Sequence, residues 1–212
     1  MPLSPARAER AALLDLLGQA GPDAPTLCTG WTTHDLAAHL VARERRPAAV
    51  PGLVVPRLHG ITARIEATMR RRPYDELVKT LRGGAPFWSP LGLPGRLYDT
   101  ANLHEMYVHH EDVRRALGGG ARLDAPELDD PLWARLKLLS PAFTARARGL
   151  GITAVRPDGV SFRLRSGDDE VVLRGTPREL FLWLFGRREQ ADVTVEGSTG
   201  AVAAARTVPL AW

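Results

Sequence analysis

The strongest constraint on the fold is a change in hydrophobic periodicity near residue 150. Before that point, apolar residues recur every three or four positions, which is typical of amphipathic helices. After it, the segments 161–165 and 170–175 alternate apolar and polar residues, as strands do. We therefore predict an α+β fold, with a helical bundle over residues 1–150 and a small α+β module over residues 151–212.

The helical part divides into segments with recognisable start and stop signals. Ser4-Pro5 is a good helix start, because a capping hydroxyl precedes a proline at the first helical position. Gly21-Pro22 ends this first helix, and Thr32 or Thr33 can cap the second. The predicted helices after the first cover about residues 33–46, 57–71, 98–117 and 131–148.

The module at the C-terminal end is predicted to combine strands with two helices. Segments 161–165 and 170–175 are expected to form a hairpin through Gly167-Asp168-Asp169. A helix over 176–188, a strand over 192–197 and a last short helix follow. A module of about 60 residues seldom buries enough surface to be stable alone, so we expect it to pack on the bundle.

Charge and composition exclude some classes of function. The net charge is +4 and the pI about 9.8, but arginine supplies nearly all of the positive charge and is spread along the chain. This distribution is typical of a GC-rich coding bias, so we predict no nucleic-acid binding.

The sequence also bears on the cellular compartment of the protein. No apolar run reaches the roughly 18 residues of a membrane span, and the first segment lacks the apolar core and cleavage site of a signal peptide. The single cysteine, Cys28, excludes an internal disulfide, which suits a reducing compartment. We predict a cytoplasmic protein without membrane contact, and the sequence leaves the oligomeric state open.

Two distant helical segments place side chains that bind metals on their apolar faces. In the second predicted helix, His39 shares one face with Leu36 and Leu40. In the helix over 98–117, Glu105 and His109 are four residues apart and project together, one turn from each other. Asp112 follows three residues after His109, where its carboxylate can bond the nitrogen of that imidazole that does not bind metal.

Two imidazoles and one carboxylate are a donor set that suits zinc, with a fourth position left for water or substrate. The same donors suit other first-row divalent metals. A metal would also offset the cost of burying the Glu105 carboxylate. We therefore predict a metal site formed by His39, Glu105 and His109, with Asp112 behind it. The residue pattern alone leaves a second interpretation open, in which these groups only satisfy one another by hydrogen bonds.

Two segments also carry a resemblance to a known family. LCTGWTTHDLAAHL (27–40) and HEMYVHHEDV (104–113) resemble the two signatures of the mycothiol-dependent maleylpyruvate isomerase and DinB-like metal-binding superfamily. Residues 175–197 are similar to the C-terminal module of that family, and the chain is similar to an actinobacterial subgroup described as metal-binding proteins. The resemblance implies a DinB-like four-helix bundle with a small C-terminal α+β module. It also implies metal ligands at His39, Glu105 and His109, with Asp112 behind them.

The same resemblance implies a chemistry. In the thiol-dependent members, zinc binds the sulfur of a low-molecular-weight thiol and delivers a thiolate at neutral pH. We therefore expect a zinc- and mycothiol-dependent transferase or isomerase acting on a small electrophile, with Arg43 and Arg187 as contacts for an anionic substrate. Two alternatives stay open: a non-catalytic metal-binding, ligand-binding or stress-response protein, and a metal-dependent hydrolase.

Three further residues are expected to be structural. Cys28 lies in a short loop without a designated base, which favours a buried structural thiol. Trp31 is expected to pack the loop against the start of the second helix. His110 points about 100° away from its neighbour His109 around the helix, so we expect it at the surface or in a local hydrogen bond.

Overall fold

The computed structural model describes residues 3–46, 59–92 and 94–209, and over this part the chain has an α+β fold, as predicted. Contacts divide the chain into two compact units, Met1–Gly119 and Gly120–Trp212. The first unit is helical and contains the predicted metal ligands. Over the residues described, the second combines three α-helices and a short 3₁₀ helix, Pro126–Leu128, with a four-stranded sheet.

The first unit contains five α-helices over the residues described. They are α1 (Pro5–Ala20), α2 (Thr33–Arg45), α3 (His59–Met69), α4 (Tyr74–Arg82) and α5 (Arg96–Ala116), with a short 3₁₀ helix at Pro90–Gly92 before α5. Each predicted helix of this unit lies within a few residues of its expected position. Residues 57 and 58 of the predicted third helix lie outside the described residues.

Local sequence explains where the first two helices begin and end. Helix α1 starts with Pro5 in its first turn and ends at Gly21, whose φ of 77° is a left-handed conformation that favours glycine. Helix α2 starts with a capping box in which Asp35 accepts a hydrogen bond from the backbone N–H of Thr32. This cap fixes the helix that carries His39.

The core of the first unit consists of apolar side chains from all five of its described helices. Its fully buried members include Leu13, Leu17, Leu36, Leu40, Leu77, Leu81 and Met106. Each such side chain stabilises the fold by about 1.5–3 kcal/mol relative to an exposed position. Helix α5 packs along α1, while α2 contacts α3 and α4. This packing places α2, α3 and α5 around the polar cluster described below.

The second unit contains the sheet. Its helices are α6 (Asp129–Phe143), α7 (Pro177–Leu184) and α8 (Thr199–Thr207), and its strands are β1 (Leu150–Val155), β2 (Ser161–Arg165), β3 (Asp169–Arg174) and β4 (Thr194–Gly197). The strand order is β2-β1-β3-β4. Strand β1 pairs antiparallel with β2 and parallel with β3, and β3 pairs antiparallel with β4.

The predicted hairpin between residues 161–165 and 170–175 is wrong. Both segments are strands, but β1 lies between them and pairs with each. Strand β1 did not show an alternating pattern because it lies inside the sheet, where Leu150, Gly151, Ile152 and Ala154 are all buried. Gly167 remains important for the turn, since a side chain there would collide with the backbone of residues 149–151.

The sequence and the contacts divide the chain at different points. The change of periodicity lies near residue 150, whereas the contacts separate residues 119 and 120 and assign α6 to the second unit. The domain assignment of 1–150 and 151–212, and the packing of the module on the bundle, stay predictions.

The described helices also show whether any of them could cross a membrane. The longest described helix, α5, has 21 residues and carries charged side chains along its length. Among the described residues, no helix combines the length and apolar character required to cross a bilayer. The cytoplasmic location and the lack of nucleic-acid binding stay predictions.

Candidate functional site

The structure brings His39, Glu105 and His109 together in the first unit. One donor atom from each side chain lies within 4.8 Å of the other two. The two imidazole rings meet edge to face, with 5.3 Å between their centroids. His39 and His109 are 8% and 6% exposed, so this cluster is enclosed by protein on most sides.

Helix geometry explains why these three side chains meet. His39 lies on α2 between Leu36 and Leu40, both of which belong to the aliphatic core, so its side chain is carried inward with theirs. Glu105 and His109 lie one turn apart on α5, and Glu105 Oε2 is 3.6 Å from His109 Nε2. The cluster therefore depends on both the α5 spacing and the packing of α2 near α5.

A buried carboxylate holds the Nδ1 side of each imidazole. Glu66 Oε1 lies 2.8 Å from His39 Nδ1, and Asp112 Oδ2 lies 3.0 Å from His109 Nδ1. A carboxylate that accepts the Nδ1–H bond fixes the tautomer and leaves the Nε2 lone pair available to a metal. Both histidines are therefore arranged as metal-binding histidines usually are.

The position of Asp112 behind His109 was predicted from the sequence, whereas the role of Glu66 was not. Glu66 lies on α3, where it shares the buried face with Thr62 and Met69, at spacings of four and three residues. An acidic residue within an apolar helical stripe was the available signal. Nothing in the local pattern of α3 indicated that this carboxylate would meet His39.

Glu105 is held in its ionised form by the groups around it. Burial alone would raise its pKa. However, the Arg43 guanidinium, the hydrogen bond from His109 and the charges of His104 and His109 together hold the pKa of Glu105 well below its ordinary value. Arg43 Nε lies 3.4 Å from Glu105 Oε2, and His104 Nε2 lies 3.7 Å from Oε1. A carboxylate that stays ionised is ready to bind a cation.

The charge state of His109 follows from its acidic neighbours. Burial alone would lower its pKa, but hydrogen bonds to Asp112, Cys28 and Glu105 raise the pKa of His109 well above its ordinary value. Without a cation, His109 is thus the positive partner of two carboxylates. A metal takes over this role, because it replaces the proton on the imidazole.

Arg43 is buried and contacts three groups of α5. Besides Glu105, its guanidinium donates to Asn102 Oδ1 and to the backbone oxygen of Ala101, both at 2.8 Å. Asn102 in turn donates to the backbone oxygens of Leu91 and Tyr98. In this arrangement Arg43 fixes the Glu105 carboxylate, and its contact with an anionic substrate stays a prediction.

Arg187, the second arginine predicted to contact an anion, lies in the other unit. Its Nη1 donates to the backbone oxygen of Phe185 at 2.7 Å, and its guanidinium lies over the Phe185 ring. The role of Arg187 therefore stays a prediction as well.

Trp31 and Arg70 lie beside the histidine cluster. The Trp31 ring lies 5.3 Å from the His39 ring, at a tilt of 52°. The Arg70 guanidinium lies over the Trp31 ring, 5.7 Å from its centroid, and forms an ion pair with Asp35, with 2.9 Å between Nε and Oδ1. Trp31 therefore packs against a predicted metal ligand of α2, and its role at the start of this helix stays a prediction.

The expectation that His110 is exposed or locally bonded is wrong. His110 is buried, and its Nδ1 lies 2.8 Å from Oε2 of Glu9, on helix α1. The 100° rotation from His109 is present, but it directs His110 toward α1, which packs along α5. This long-range pair ties α5 to α1.

The donor set fits a divalent cation. Two imidazoles that can each offer Nε2 once a metal replaces its proton, and one ionised carboxylate, match the three protein ligands of catalytic zinc sites, where a fourth position takes water or substrate. The carboxylates of Glu66 and Asp112 complete the outer contacts that such sites require. The assignment of His39, Glu105 and His109 as metal ligands stays a prediction.

Comparison with known proteins assigns the chain to a family. The family model of the mycothiol maleylpyruvate isomerase N-terminal domain matches residues 3–114, more than half of the chain. The chain belongs to this family. The matched span contains every member of the cluster, from His39 through Glu66 to Asp112, whereas Arg187 lies outside it.

Solved structures support the same fold. The chain is similar to the crystal structure of the mycothiol-dependent maleylpyruvate isomerase, with a TM-score of 0.62, 21% identity and coverage of 92% of this chain and 91% of the other. A histidine-to-alanine mutant of that enzyme gives the same TM-score and coverage at 20% identity. At this level of identity, the likeness shows the fold. No curated protein matches the chain.

Proposed function

We propose that this member of the mycothiol maleylpyruvate isomerase family is a metal- and thiol-dependent isomerase or transferase that acts on a small electrophile. The proposed cofactor is a divalent cation, zinc in the first instance, and the proposed thiol is mycothiol. The observation that carries the proposal is the cluster of His39, Glu105 and His109, with donor atoms within 4.8 Å of one another. Family membership supports the choice of thiol.

Zinc bound at such a site supplies a Lewis acid that binds a thiol sulfur and lowers its pKa, so that the thiol is a nucleophile at neutral pH. The residues of the chain prepare this chemistry. Glu66 and Asp112 keep the Nδ1 protons of the two histidines in place, so that each Nε2 is directed into the site as a donor.

Glu105 and Arg43 set the charge balance of the site. Glu105 contributes one negative charge to the three proposed ligands, and two neutral imidazoles contribute none. A divalent cation would therefore keep a net positive charge that favours an anionic thiolate. Arg43 contacts the Glu105 carboxylate through Nε, while its two Nη atoms donate hydrogen bonds to Asn102 and Ala101 of α5.

The enclosure of the site supports chemistry that competes with water. His39 and His109 are buried, and the Trp31 ring covers part of His39. Electrostatic interactions are stronger in such a partly dehydrated site than in water. Exclusion of water also protects a thiolate adduct from hydrolysis.

The test is an assay of zinc-loaded protein with mycothiol and a panel of small electrophiles that includes maleylpyruvate. We expect turnover that requires both zinc and the thiol, with the thiol regenerated in an isomerisation or consumed in a transfer. His39→Ala should abolish this turnover and lower the zinc content. His34→Ala is the matched control on the same helix, because His34 bonds the backbone oxygen of Arg72, away from the cluster.

The alternatives predict different outcomes of this assay. Bound zinc without turnover of any electrophile class would favour a non-catalytic metal-binding or ligand-binding protein. Hydrolysis of esters or amides without thiol would favour a metal-dependent hydrolase. Equal activity of wild type and His39→Ala would contradict the proposal.

A further inference from the structure

Cys28 lies beside the predicted metal cluster, on the far side of His109. We propose that Cys28, His109 and Asp112 form a second cation position, which takes a thiophilic ion such as Cd²⁺, Co²⁺ or Zn²⁺. One donor atom from each of these residues lies within 4.8 Å of the other two. This inference needs only these three side chains and does not depend on the proposed enzymatic function.

The contacts around Cys28 define the position. Cys28 Sγ lies 3.2 Å from Asp112 Oδ2, and the same oxygen lies 3.0 Å from His109 Nδ1. Two donor atoms, Cys28 Sγ and His109 Nδ1, therefore lie close to the same oxygen of Asp112. Asp112 is completely buried, whereas Cys28 is half-buried, so an ion reaches the position from the Cys28 side.

Backbone hydrogen bonds hold the Cys28 loop against α5. The backbone N–H of Leu27 donates to the backbone oxygen of Asp112 at 3.0 Å, and the backbone N–H of Cys28 donates to Thr26 Oγ1 at 3.2 Å. Thr26 also donates through its hydroxyl to the backbone oxygen of Trp31. The thiol is consequently placed by a fixed loop, and ligand positions that are fixed before binding favour metal affinity.

The donor types select the ion. A thiolate together with an imidazole and a carboxylate suits zinc and softer cations, while Mg²⁺ and Ca²⁺ prefer sites built from oxygen ligands alone. When the ion binds, it replaces the thiol proton of Cys28 and the Nδ1 proton of His109, and both protons pass to solvent.

The two cation positions share His109 through opposite ring nitrogens. Nε2 lies 3.6 Å from Glu105 on the side of the first cluster, and Nδ1 lies 3.0 Å from Asp112 on the side of Cys28. An ion at the second position takes the carboxylate that orients His109. An imidazole that binds an ion through Nδ1 keeps its remaining proton on Nε2, and a second cation must displace that proton too. We therefore expect thiophilic ions to weaken metal binding at His39, Glu105 and His109 by at least the roughly 10- to 100-fold effect of losing such an outer contact.

The test is titration of metal-free protein with Co²⁺, followed by absorption spectroscopy. Cobalt bound to a cysteine thiolate gives a charge-transfer band in the near ultraviolet. Because Cys28 is the single cysteine of the chain, such a band reports this residue alone. We expect the band in wild type and in His39→Ala, which removes a ligand of the first cluster only. We expect no band in Cys28→Ser.

Three results would overturn the proposal. Wild type that binds Co²⁺ without the band would show that the thiol is not a ligand. A band that is lost in His39→Ala would show that the thiol binds an ion at the first cluster instead. A band that survives unchanged in Asp112→Asn would remove Asp112 from the ligand set. Thermal unfolding of each variant, compared with wild type, tests whether the variant is folded. Mg²⁺ is the control ion, which should not displace Co²⁺ from the second position.

Discussion

Replacing Glu66 by glutamine tests whether a carboxylate behind His39 tunes the metal site. The Glu66 Oε1 to His39 Nδ1 distance is 2.8 Å, and the two side chains are 11% and 9% exposed, so solvent screens this contact little. A hydrogen bond to a charged group stabilises by about 1.5–3 kcal/mol and a neutral one by about 0.5–1.5 kcal/mol. Glutamine keeps a neutral acceptor, so the loss is about 1–1.5 kcal/mol, or roughly tenfold in zinc affinity.

The assay is a competition titration in which a chromophoric chelator and the protein share limiting zinc. Glu66→Ala, which leaves Nδ1 without its acceptor, should lose more, up to about 100-fold. Glu76→Gln is the matched control. Glu76 lies on α4, its side chain is 59% exposed, and its Oε2 pairs only weakly with Arg72 Nη2 at 3.6 Å. Unchanged zinc affinity in Glu66→Gln, or an equal loss in Glu76→Gln, would refute the role assigned to Glu66.

Three stability predictions follow from the packing of the first unit, each measured by urea denaturation. Glu44→Ala should lower the free energy of unfolding by about 3–5 kcal/mol, because it leaves the Arg10 guanidinium without its buried partner. A loss below about 1 kcal/mol would contradict this prediction. Asn102→Ala should lower the free energy of unfolding by at least about 1–3 kcal/mol, because it leaves the buried polar groups that bond the amide without a partner. An unchanged free energy would show that water replaces the amide. Leu17→Ala should lower the free energy of unfolding by about 2–5 kcal/mol, while Leu97→Ala, at an exposed position of the same unit, should change it by no more than about 0.5 kcal/mol. Similar losses for both variants would contradict the burial argument.

Four of the five helices described in the first unit could be predicted because their signals are local, whereas α4 was not predicted. Pro5, the Thr32 cap and the apolar spacing of α5 each act within one or two turns. The strands were harder to place. Strand β1 is buried within the sheet and lacks alternation, so the hairpin between its two neighbours was an error of pairing rather than of strand assignment.

In the candidate site, too, contacts within one helix could be predicted, whereas most contacts between separate helices could not. The spacing of Glu105, His109 and Asp112 on one helix predicted their mutual contacts, which depend only on helical geometry. The approach of His39 depends on how α2 packs near α5, which periodicity does not specify, and the family signatures supplied it. Glu66 and the partner of His110 were missed because both contacts join separate helices.

The central claim is that His39, Glu105 and His109 hold one cation. It is tested most directly by anomalous diffraction at the zinc edge, with crystals of the zinc-loaded protein. We expect a peak about 2.0–2.2 Å from Nε2 of both histidines and from a carboxylate oxygen of Glu105. A zinc-loaded crystal with no anomalous peak among these three side chains would contradict the claim.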